Sequence, residues 1–162
     1  MKIGVLSDTH IPVSAVKLPK AVYDSFKGCD LIIHAGDIVE MSVINELQKI
    51  AETKAVFGNM DSFDVKDTLP EKLFFKAEGK NIGVVHGTGA PENIIKTVKG
   101  FFSKKPDIII FGHSHEAINV VIDGILFFNP GSPTDQFFSK YRSFGIIEII
   151  KGNIVSKIVR ID

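Results

Sequence analysis

The chain has very little cysteine and no excess of charge of either sign. Its 162 residues include one cysteine, Cys29, which excludes an internal disulfide and suits a reducing compartment. Nineteen basic residues balance nineteen acidic ones, so no overall field favours nucleic acid or an anionic membrane. Any binding of anions must therefore come from a local site.

Long apolar runs are missing as well. No stretch approaches the roughly 18 apolar residues that a membrane-spanning helix needs, and the chain has no low-complexity tract, long linker or internal repeat. We therefore expect a cytoplasmic protein without membrane contact and without general nucleic-acid binding. With 162 residues the chain can bury a substantial core, and we expect residues 1–162 to form a single domain.

Short apolar runs alternate with amphipathic stretches over the first two thirds of the chain. The runs are typical of strands buried on both faces, and the stretches between them predict helices at about 17–27, 40–52 and 92–104. The predicted strands cover residues 3–6, 31–33, 55–57, 82–85 and 108–111, and residues 70–77 are a further candidate. This alternation indicates an α/β layered fold.

The final third changes character, because four strand-like segments follow one another without a helix. They cover residues 117–122, 125–128, 144–150 and 153–159. Asp123-Gly124 and Gly152-Asn153 predict hairpin turns between them. A mixed sheet followed by an antiparallel set of strands indicates two packed sheets flanked by helices.

Polar residues of metal-binding type follow five of the predicted strands. In open α/β sheets, side chains just beyond the carboxyl ends of the strands converge on one crevice, where ligands bind. A single aspartate, asparagine or histidine in such a turn is more often structural, but ordinary turn composition does not explain five coincidences. The seven candidates are Asp8, His10, Asp37, Asn59, His86, His113 and His115.

Two of the five histidines lie one residue apart in the segment Phe111-Gly112-His113-Ser114-His115. If the backbone is still extended there, the side chains of His113 and His115 point the same way and can reach a single ion. His34 lies three residues before Asp37 and need not share its direction. We expect His34 to support the site or the structure by hydrogen bonding rather than to bind a metal.

The candidate ligands narrow the choice of metal. Histidine nitrogens mixed with carboxylate and amide oxygens suit Mn²⁺, Fe²⁺, Co²⁺, Ni²⁺ or Zn²⁺ rather than a calcium cage. Seven ligands are too many for one tetrahedral zinc site, and two metals sharing a bridging carboxylate would use them economically. Such a pair, roughly 3.5–4 Å apart, can activate a water as hydroxide and clamp the oxygens of a phosphoryl group.

Five short blocks of this sequence resemble the calcineurin-like metallophosphoesterases, in matching order. The short chain, Ser7-Asp8-Thr9-His10 and the later Asn129-Pro130-Gly131-Ser132 are most similar to the small YfcE-like phosphodiesterase branch. The resemblance covers residues 3 to about 150. The blocks are Asp8-Thr9-His10, Gly36-Asp37, Gly58-Asn59, His86-Gly87 and Gly112-His113-Ser114-His115.

The resemblance implies a four-layer α/β/β/α sandwich of two mixed sheets and a phosphoesterase with two divalent metals. Manganese is the first expectation for both, with nickel, cobalt, iron, zinc or magnesium as alternatives. One metal would be held by Asp8, His10, Asp37 and His115, and the other by Asp37, Asn59, His86 and His113. Asp37 would bridge, and a hydroxide between the metals would attack phosphorus without a covalent phosphoenzyme. The residues closest to the chemistry would be Asp37, Asn59 and His86.

The sequence departs from many members of the superfamily after the motif asparagine. They carry a histidine there that is thought to assist the leaving group, whereas this chain has Met60, which cannot donate a proton. We therefore expect a preference for esters with leaving groups of low pKa, such as aryl diesters. The neighbouring Asp61 is interpreted as a solvated turn carboxylate rather than an acid or a hydrogen-bonding support of the ligands. Arg142 is interpreted as an exposed structural residue rather than a phosphate contact.

Several functions remain open at this point. The leading hypothesis is a phosphodiesterase acting on a small phosphate ester, and a phosphomonoesterase or nucleotidase could use the same site. A rival of another class is a protein-binding scaffold, because the retromer subunit of the same fold resembles this sequence too. A scaffold would be free to lose a ligand, and none of the seven is missing here, so we favour the enzyme. A homodimer is a further expectation from the resemblance.

Overall fold

Ten strands and four α-helices make up the described part of the chain, residues 1–161 of a computed structural model. Residues Pro91–Asn93 add a short 3₁₀ turn directly before the fourth helix. The elements are β1 Lys2–Leu6, α1 Lys20–Phe26, β2 Leu31–His34, α2 Ser42–Gln48, β3 Glu52–Ala55, α3 Phe63–Thr68, β4 Lys72–Ala77, β5 Lys80–Val85, α4 Ile94–Gly100, β6 Ile108–Ile110, β7 Ala117–Ile122, β8 Ile125–Pro130, β9 Ser143–Ile150 and β10 Asn153–Arg160.

The strands form two five-stranded sheets. The first has the order β10-β9-β1-β2-β3, and the second has the order β4-β5-β6-β8-β7. In the first sheet β1, β2 and β3 are parallel, while β9 and β10 are antiparallel to their neighbours. In the second sheet β5, β6 and β8 are parallel, and β4 and β7 pair antiparallel at the edges. The predicted pair of mixed sheets is confirmed.

Three buried clusters hold the layers together. The central one joins the facing surfaces of the two sheets, for example through Val5 and Ile33 of the first sheet and Ile110 and Phe128 of the second. A second cluster packs α1, α2 and α3 on the outer face of the first sheet. A third packs α4 on the outer face of the second sheet. The order of layers is therefore α/β/β/α, as the resemblance implied.

Burial on both faces explains the continuous apolar runs of the central strands. In β2, Leu31 and Ile33 face the other sheet while Ile32 faces the helices, and all three are buried. The prediction was less accurate for β3, which spans Glu52–Ala55 rather than residues 55–57. Because β3 is an edge strand, it needs little apolar character.

The helices are shorter than the sequence pattern predicted. Helix α1 begins only after Pro19, consistent with the reluctance of a residue before proline to adopt helical angles. Helix α3 was missed altogether, because Val65 is its only described buried residue and gives no periodic pattern. Its start is marked by Ser62, whose hydroxyl accepts a hydrogen bond from the backbone N–H of Val65.

The predicted turn at Asp123-Gly124 joins β7 to β8, with both residues at positive φ. The turn between β9 and β10 is one residue earlier than predicted, at Lys151-Gly152, because Asn153 already pairs with Ile150. Within residues 1–161, none of the helices has the length and apolar character needed to cross a membrane.

Candidate metal centre

The seven candidate ligands lie at one end of the molecule, beyond the carboxyl ends of parallel strands in both sheets. Asp8 and His10 follow β1, and Asp37 follows β2. Asn59 lies four residues beyond the end of β3. His86 follows β5, and His113 and His115 follow β6. The parallel strands of each sheet thus deliver ligand-type side chains to a shared edge, as their direction requires.

Most of these residues have a left-handed backbone. Nine non-glycine residues within 1–161 have positive φ, and five of them are candidate ligands: Asp8, His10, Asp37, His113 and His115. Such conformations are strained for residues with a Cβ and tend to cluster at functional sites. The segment that holds His113 and His115 is therefore bent, and the assumption that both rings point the same way along an extended backbone is wrong.

His115 joins one group of ligand atoms with Asp8 and His10. Its Nε2 lies 3.3 Å from Oδ1 of Asp8 and 3.3 Å from Nε2 of His10. The Nε2 of His10 also lies 3.5 Å from Oδ2 of Asp37. One nitrogen or oxygen from each of Asp8, His10 and His115 falls within 4.8 Å of the others, which is close enough to surround one cation.

His113 belongs to a second group. Its Nδ1 lies 3.2 Å from Oδ1 of Asn59, and the same amide oxygen lies 3.1 Å from Nε2 of His86. The Nε2 of His86 is in turn 3.3 Å from Oδ2 of Asp37. That carboxylate oxygen therefore lies between the two groups, within 3.5 Å of a histidine nitrogen from each.

A buried oxygen of Asp8 indicates that the group formed by Asp8, His10 and His115 suits a cation. Oδ1 of Asp8 is fully buried and accepts no hydrogen bond from residues 1–161, although a buried carboxylate oxygen without a donor is unfavourable. The Nε2 atoms of His10 and His115 face each other at 3.3 Å, so at least one presents a lone pair. A divalent cation accommodates both features. Nitrogen and oxygen donors without thiolates fit Mn²⁺, Fe²⁺, Co²⁺, Ni²⁺ or Zn²⁺.

Comparison with known proteins identifies the family. The model of the calcineurin-like phosphoesterase superfamily domain matches residues 1–152. The chain belongs to this superfamily. A probable metallophosphoesterase of Methanothermobacter thermautotrophicus is 36% identical over 135 residues, which cover 83% of this chain and 78% of that protein. A phosphodiesterase of Methanocaldococcus jannaschii is 27% identical over 143 residues, covering 81% of this chain and 83% of that protein.

Solved structures share the fold of this chain. The solution structure of protein TM1076 from Thermotoga maritima is 34% identical, has a TM-score of 0.77 and covers 99% of both chains. Vps29 from Entamoeba histolytica, determined in complex with Zn²⁺, is 22% identical with a TM-score of 0.75 and covers 100% of both chains. At that identity the Vps29 likeness shows the shared fold alone.

Hydrogen bonds on the side away from the pocket fix the orientation of three imidazoles of the phosphoesterase site. His86 donates its Nδ1–H to the carbonyl oxygen of Ala35 at 2.7 Å, and His113 donates its Nε2–H to that of Gly89 at 3.0 Å. Carbonyl oxygens only accept, so these two ring nitrogens carry a hydrogen. The opposite nitrogen of each ring faces Asn59 inside the site and can bind a metal once it is deprotonated.

Asp135, which was not among the predicted site residues, orients the third ring. Its carboxylate accepts a hydrogen bond from Nδ1 of His115 at 2.7 Å, so that Nε2 of this ring faces Asp8. The same carboxylate accepts the backbone N–H groups of Phe137, Phe138 and Ser139. A signal was present in the sequence, since Asp135 follows Asn129-Pro130-Gly131-Ser132 closely, but nothing there indicated its partner.

The interpretation of Asp61 as a solvated turn carboxylate is wrong. Asp61 is buried and accepts hydrogen bonds from the backbone N–H groups of Asp37, Ile38, Val39 and Gly58, at 2.6 to 3.0 Å. The carboxylate thus organises the loop that presents Asp37. With its oxygens turned toward these donors, Asp61 is poorly placed to act as an acid toward substrate.

Two motif glycines are needed for close packing behind the ligands. A Cβ at Gly58, just before Asn59, would collide with the carboxylate of Asp37. A Cβ at Gly112, just before His113, would collide with Ser7 and with the carboxylate of Asp8. The glycine in each motif therefore lets two ligand-bearing loops approach each other.

The loop after β8 supports the site. Ser132 donates its hydroxyl hydrogen to the carbonyl oxygen of Asp8 at 2.7 Å, and Thr134 donates to that of Thr9 at 2.7 Å. Asn129 donates from Nδ2 to the carbonyl oxygen of Gly112 at 2.9 Å. These bonds hold the turns that carry Asp8 and His113 in their left-handed conformations.

His34 lies behind the site rather than in it. It is fully buried, and its Nδ1 accepts the backbone N–H of Gly36 at 3.2 Å. Its Nε2–H is therefore the donor to Oγ1 of Thr9, 3.0 Å away. Burial lowers the pKa of His34 to about 3, against the opposing effect of nearby Asp8 and Asp37. The ring is thus a neutral structural bridge between the turns after β1 and β2.

Opposite charges dominate the electrostatics of the ligands. Burial raises the pKa of Asp8, but the adjacent imidazole of His115, whose Nε2 lies 3.3 Å from Oδ1, and the charge of His86 outweigh this effect and lower that pKa to about 2. For His86 and His115, burial has the opposite effect and lowers the pKa, but the neighbouring carboxylates outweigh it and raise the pKa of each ring to about 9. A cation must therefore displace protons from imidazoles that favour the charged form, so metal binding weakens as the pH falls.

An open pocket of about 420 Å³ lies over the ligands. Its polar part includes His10, Asp37, Asn59, His113 and His115. Its apolar part includes Met60, Pro91, Phe137 and Phe138. The side chain of Met60 is 61% exposed at this wall, while its backbone N–H donates to Oδ1 of Asp37 at 2.8 Å. Arg142 is half-buried and lines an adjacent depression with Lys140 and Tyr141.

Proposed function

We propose that this phosphoesterase is a phosphodiesterase that holds two divalent cations and hydrolyses a small phosphate diester. The observation that carries the proposal is the position of Asp37, whose Oδ2 lies between two groups of ligand atoms under an open pocket. In the proposed arrangement Asp8, His10 and His115 hold one cation, Asn59, His86 and His113 hold the other, and Asp37 contacts both. Manganese is the metal we expect first.

The cations would supply an activated water and positive charge for the phosphoryl oxygens. The contribution of the chain is to fix the ligands. Ala35, Gly89 and Asp135 lock the imidazoles of His86, His113 and His115, and Asp61 locks the backbone around Asp37. Such fixed geometry lowers the reorganisation needed during reaction.

Hydrolysis breaks one P–O ester bond and forms one P–O bond to the oxygen of water. The departing oxygen takes a proton or leaves as an anion. Met60 occupies the pocket wall where a proton donor would be useful, and its thioether has no proton to give. We therefore propose that the enzyme prefers leaving groups that are stable as anions, such as aryloxides.

The pocket lining supports a diester over a monoester. None of the twelve residues that line the pocket within the described chain is lysine or arginine. A monoester is largely a dianion at neutral pH and would benefit from such a cation, whereas a diester is a monoanion. The apolar wall formed by Phe137 and Phe138 also provides a surface for a second ester group.

A metal-restoration assay tests the proposal. Protein stripped with a chelator is assayed with aryl diesters and aryl monoesters after Mn²⁺, Ni²⁺, Co²⁺, Fe²⁺, Zn²⁺ or Mg²⁺ is added singly. We expect restored hydrolysis, with a larger kcat/KM for diesters. Faster hydrolysis of monoesters would instead support the monoesterase alternative. No restored hydrolysis of either class would refute the enzyme and favour the binding scaffold.

A further inference from the structure

Two adjacent phenylalanines stand out among the exposed apolar side chains. Phe137 is 92% exposed and Phe138 is 85% exposed, although both are large and apolar. Exposed apolar side chains that cluster often mark a binding surface. Both residues line the pocket that also contains His10, His113 and His115. Their exposure therefore lies at the mouth of the candidate metal centre.

The backbone of this pair is anchored rather than loose. The N–H of Phe137 donates to Oδ1 of Asp135 at 2.8 Å, and the N–H of Phe138 donates to the same atom at 3.1 Å. Ser139 adds bonds from its backbone N–H and its hydroxyl to Oδ2 of Asp135, at 2.8 and 2.9 Å. The carboxylate that orients His115 thus also positions the two aromatic rings.

The rings also lie close to the metal ligands. The rings of Phe138 and His115 meet edge to face, with centroids 6.1 Å apart. Both phenylalanines line the pocket that contains the candidate metal ligands, so a group bonded to phosphorus in this pocket can contact them. The Phe137–Phe138 wall is therefore within reach of an ester group of a phosphodiester bound there.

The chemistry of the wall selects a neutral, flat partner. Met60 and Pro91 add further apolar surface to the same pocket, and no lysine or arginine within residues 1–161 lines it. Two exposed rings offer faces and edges for aromatic stacking, which adds to simple burial of apolar area. A cavity of about 420 Å³ falls in the usual range for small-molecule sites.

We infer that Phe137 and Phe138 form a specificity wall that binds an aromatic group on the retained side of the phosphodiester. This inference rests on the proposed phosphodiesterase function and adds the class of substrate. The favoured substrate is a phosphodiester whose retained group is a neutral aromatic ring, such as a phenyl group or a nucleobase close to the phosphate.

Two diesters with the same leaving group test the wall. Both carry 4-nitrophenyl as the leaving group, and the retained group is phenyl in one and methyl in the other, so the bond that breaks is the same. We expect the wild-type protein to favour the phenyl ester in kcat/KM by about tenfold, in line with the energy of aromatic contacts. The variant Phe137→Ala/Phe138→Ala should remove this preference and change the methyl ester less than about threefold.

Phe63→Ala is the matched control. Phe63 is 81% exposed, similar to the two wall residues, but it begins helix α3 and does not line the pocket in the described chain. This variant should keep the full preference for the phenyl ester. An equal loss of preference in Phe63→Ala would show that the effect is not local to the wall, and would overturn the inference.

A binding measurement separates this inference from the proposed function. Methylphenylphosphinate and dimethylphosphinate are monoanions without an ester bond, so their dissociation constants on Mn²⁺-loaded protein do not depend on turnover. We expect the wild-type protein to bind methylphenylphosphinate about tenfold more tightly than dimethylphosphinate. The double variant should bind the two phosphinates equally. This result without hydrolysis of any ester would refute the proposed function and retain the wall.

Two outcomes would overturn the inference itself. The first is equal binding of the two phosphinates to the wild-type protein. The second is that the two rings contact a second copy of the chain instead of a substrate. Sedimentation would then show a dimer for the wild-type protein and a monomer for the double variant. Thymidine 4-nitrophenyl phosphate in the same assays then distinguishes a nucleobase from a phenyl group as the preferred aromatic ring.

Discussion

Lowering the pH from 6.5 to about 5 is expected to destabilise the native protein through His34. The ring is fully buried and neutral, since Nδ1 accepts from Gly36 and Nε2 donates to Thr9. Its pKa is about 3 in the native state, against 6.5 for an ordinary histidine. Between these two values the unfolded chain binds a proton that the native protein does not bind, so the free energy of unfolding falls as the pH falls.

The magnitude follows from the width of the pH interval. From 6.5 to about pH 5 is roughly 1.5 pH units, and an ordinary histidine is already half protonated at 6.5, so His34 lowers the free energy of unfolding by about 1.6 kcal/mol over this interval. The raised pKa values of His86 and His115, about 9, keep both rings protonated in the native state, while the same residues become fully protonated in the unfolded chain only below 6.5; together they offset about 0.8 kcal/mol of this loss. Asp8, with a native pKa of about 2 and an ordinary value of 3.8, contributes only at lower pH. The difference between the wild-type protein and a variant without His34 therefore isolates this residue.

Urea unfolding of chelator-treated protein, followed by circular dichroism at several pH values, measures this slope. His34→Gln keeps a side chain that can both donate and accept but does not titrate, so over the interval the wild-type protein should lose about 1.6 kcal/mol of stability relative to this variant. An equal slope in wild type and His34→Gln would refute the reasoning. If the variant does not fold, the ring nitrogens of wild-type His34 can be followed by NMR, and protonation near pH 6 would also refute it.

Three further perturbations test the site. Asp61→Asn should lose about 2 to 4 kcal/mol in chelator-treated urea unfolding, because a neutral amide replaces the acceptor of four backbone N–H groups; exposed Asp67→Asn, the control, should change less than about 0.5 kcal/mol. Asp37→Ala should lose both cations in metal analysis and reduce kcat/KM more than His113→Ala, which should lose one; equal losses would contradict the proposed sharing. Met60→His should raise kcat/KM for alkyl leaving groups relative to aryl ones by about tenfold or more, and an unchanged ratio would refute a missing proton donor.

Much of the fold could be predicted because the central strands carry a simple signal. The run at Ile108 to Ile110 is buried on both faces, and polar residues begin where the strand ends. The same transition occurs at Asp8 and Asp37, so the strand ends and the candidate ligands were found together. Edge strand β3 and helix α3 gave weaker signals, because few of their side chains are buried.

The supports of the site could not be predicted, since their partners are distant in sequence. Asp61 binds the backbone of Asp37 from 24 residues away, and Asp135 binds His115 from 20 residues away. Every residue except proline has a backbone N–H, so the residue types in the sequence do not indicate which N–H groups a carboxylate will bind. The bend at His113 was missed for a related reason: a left-handed histidine is held there by contacts with Asp8 and Asn59 rather than by its own preference.

The distribution of ligands over two sheets also has a consequence for biosynthesis. The backbone N–H of His113 donates to Oδ2 of Asp8 across 105 residues of chain, and this bond joins the end of β6 to the end of β1. A growing chain that has emerged only through β3 holds Asp8, His10 and Asp37 but lacks the histidines that follow β5 and β6. High-affinity metal loading therefore has to wait until residues through His115 have emerged and the sheets have packed. A bound metal would thus indicate a chain in which the two sheets have already packed together.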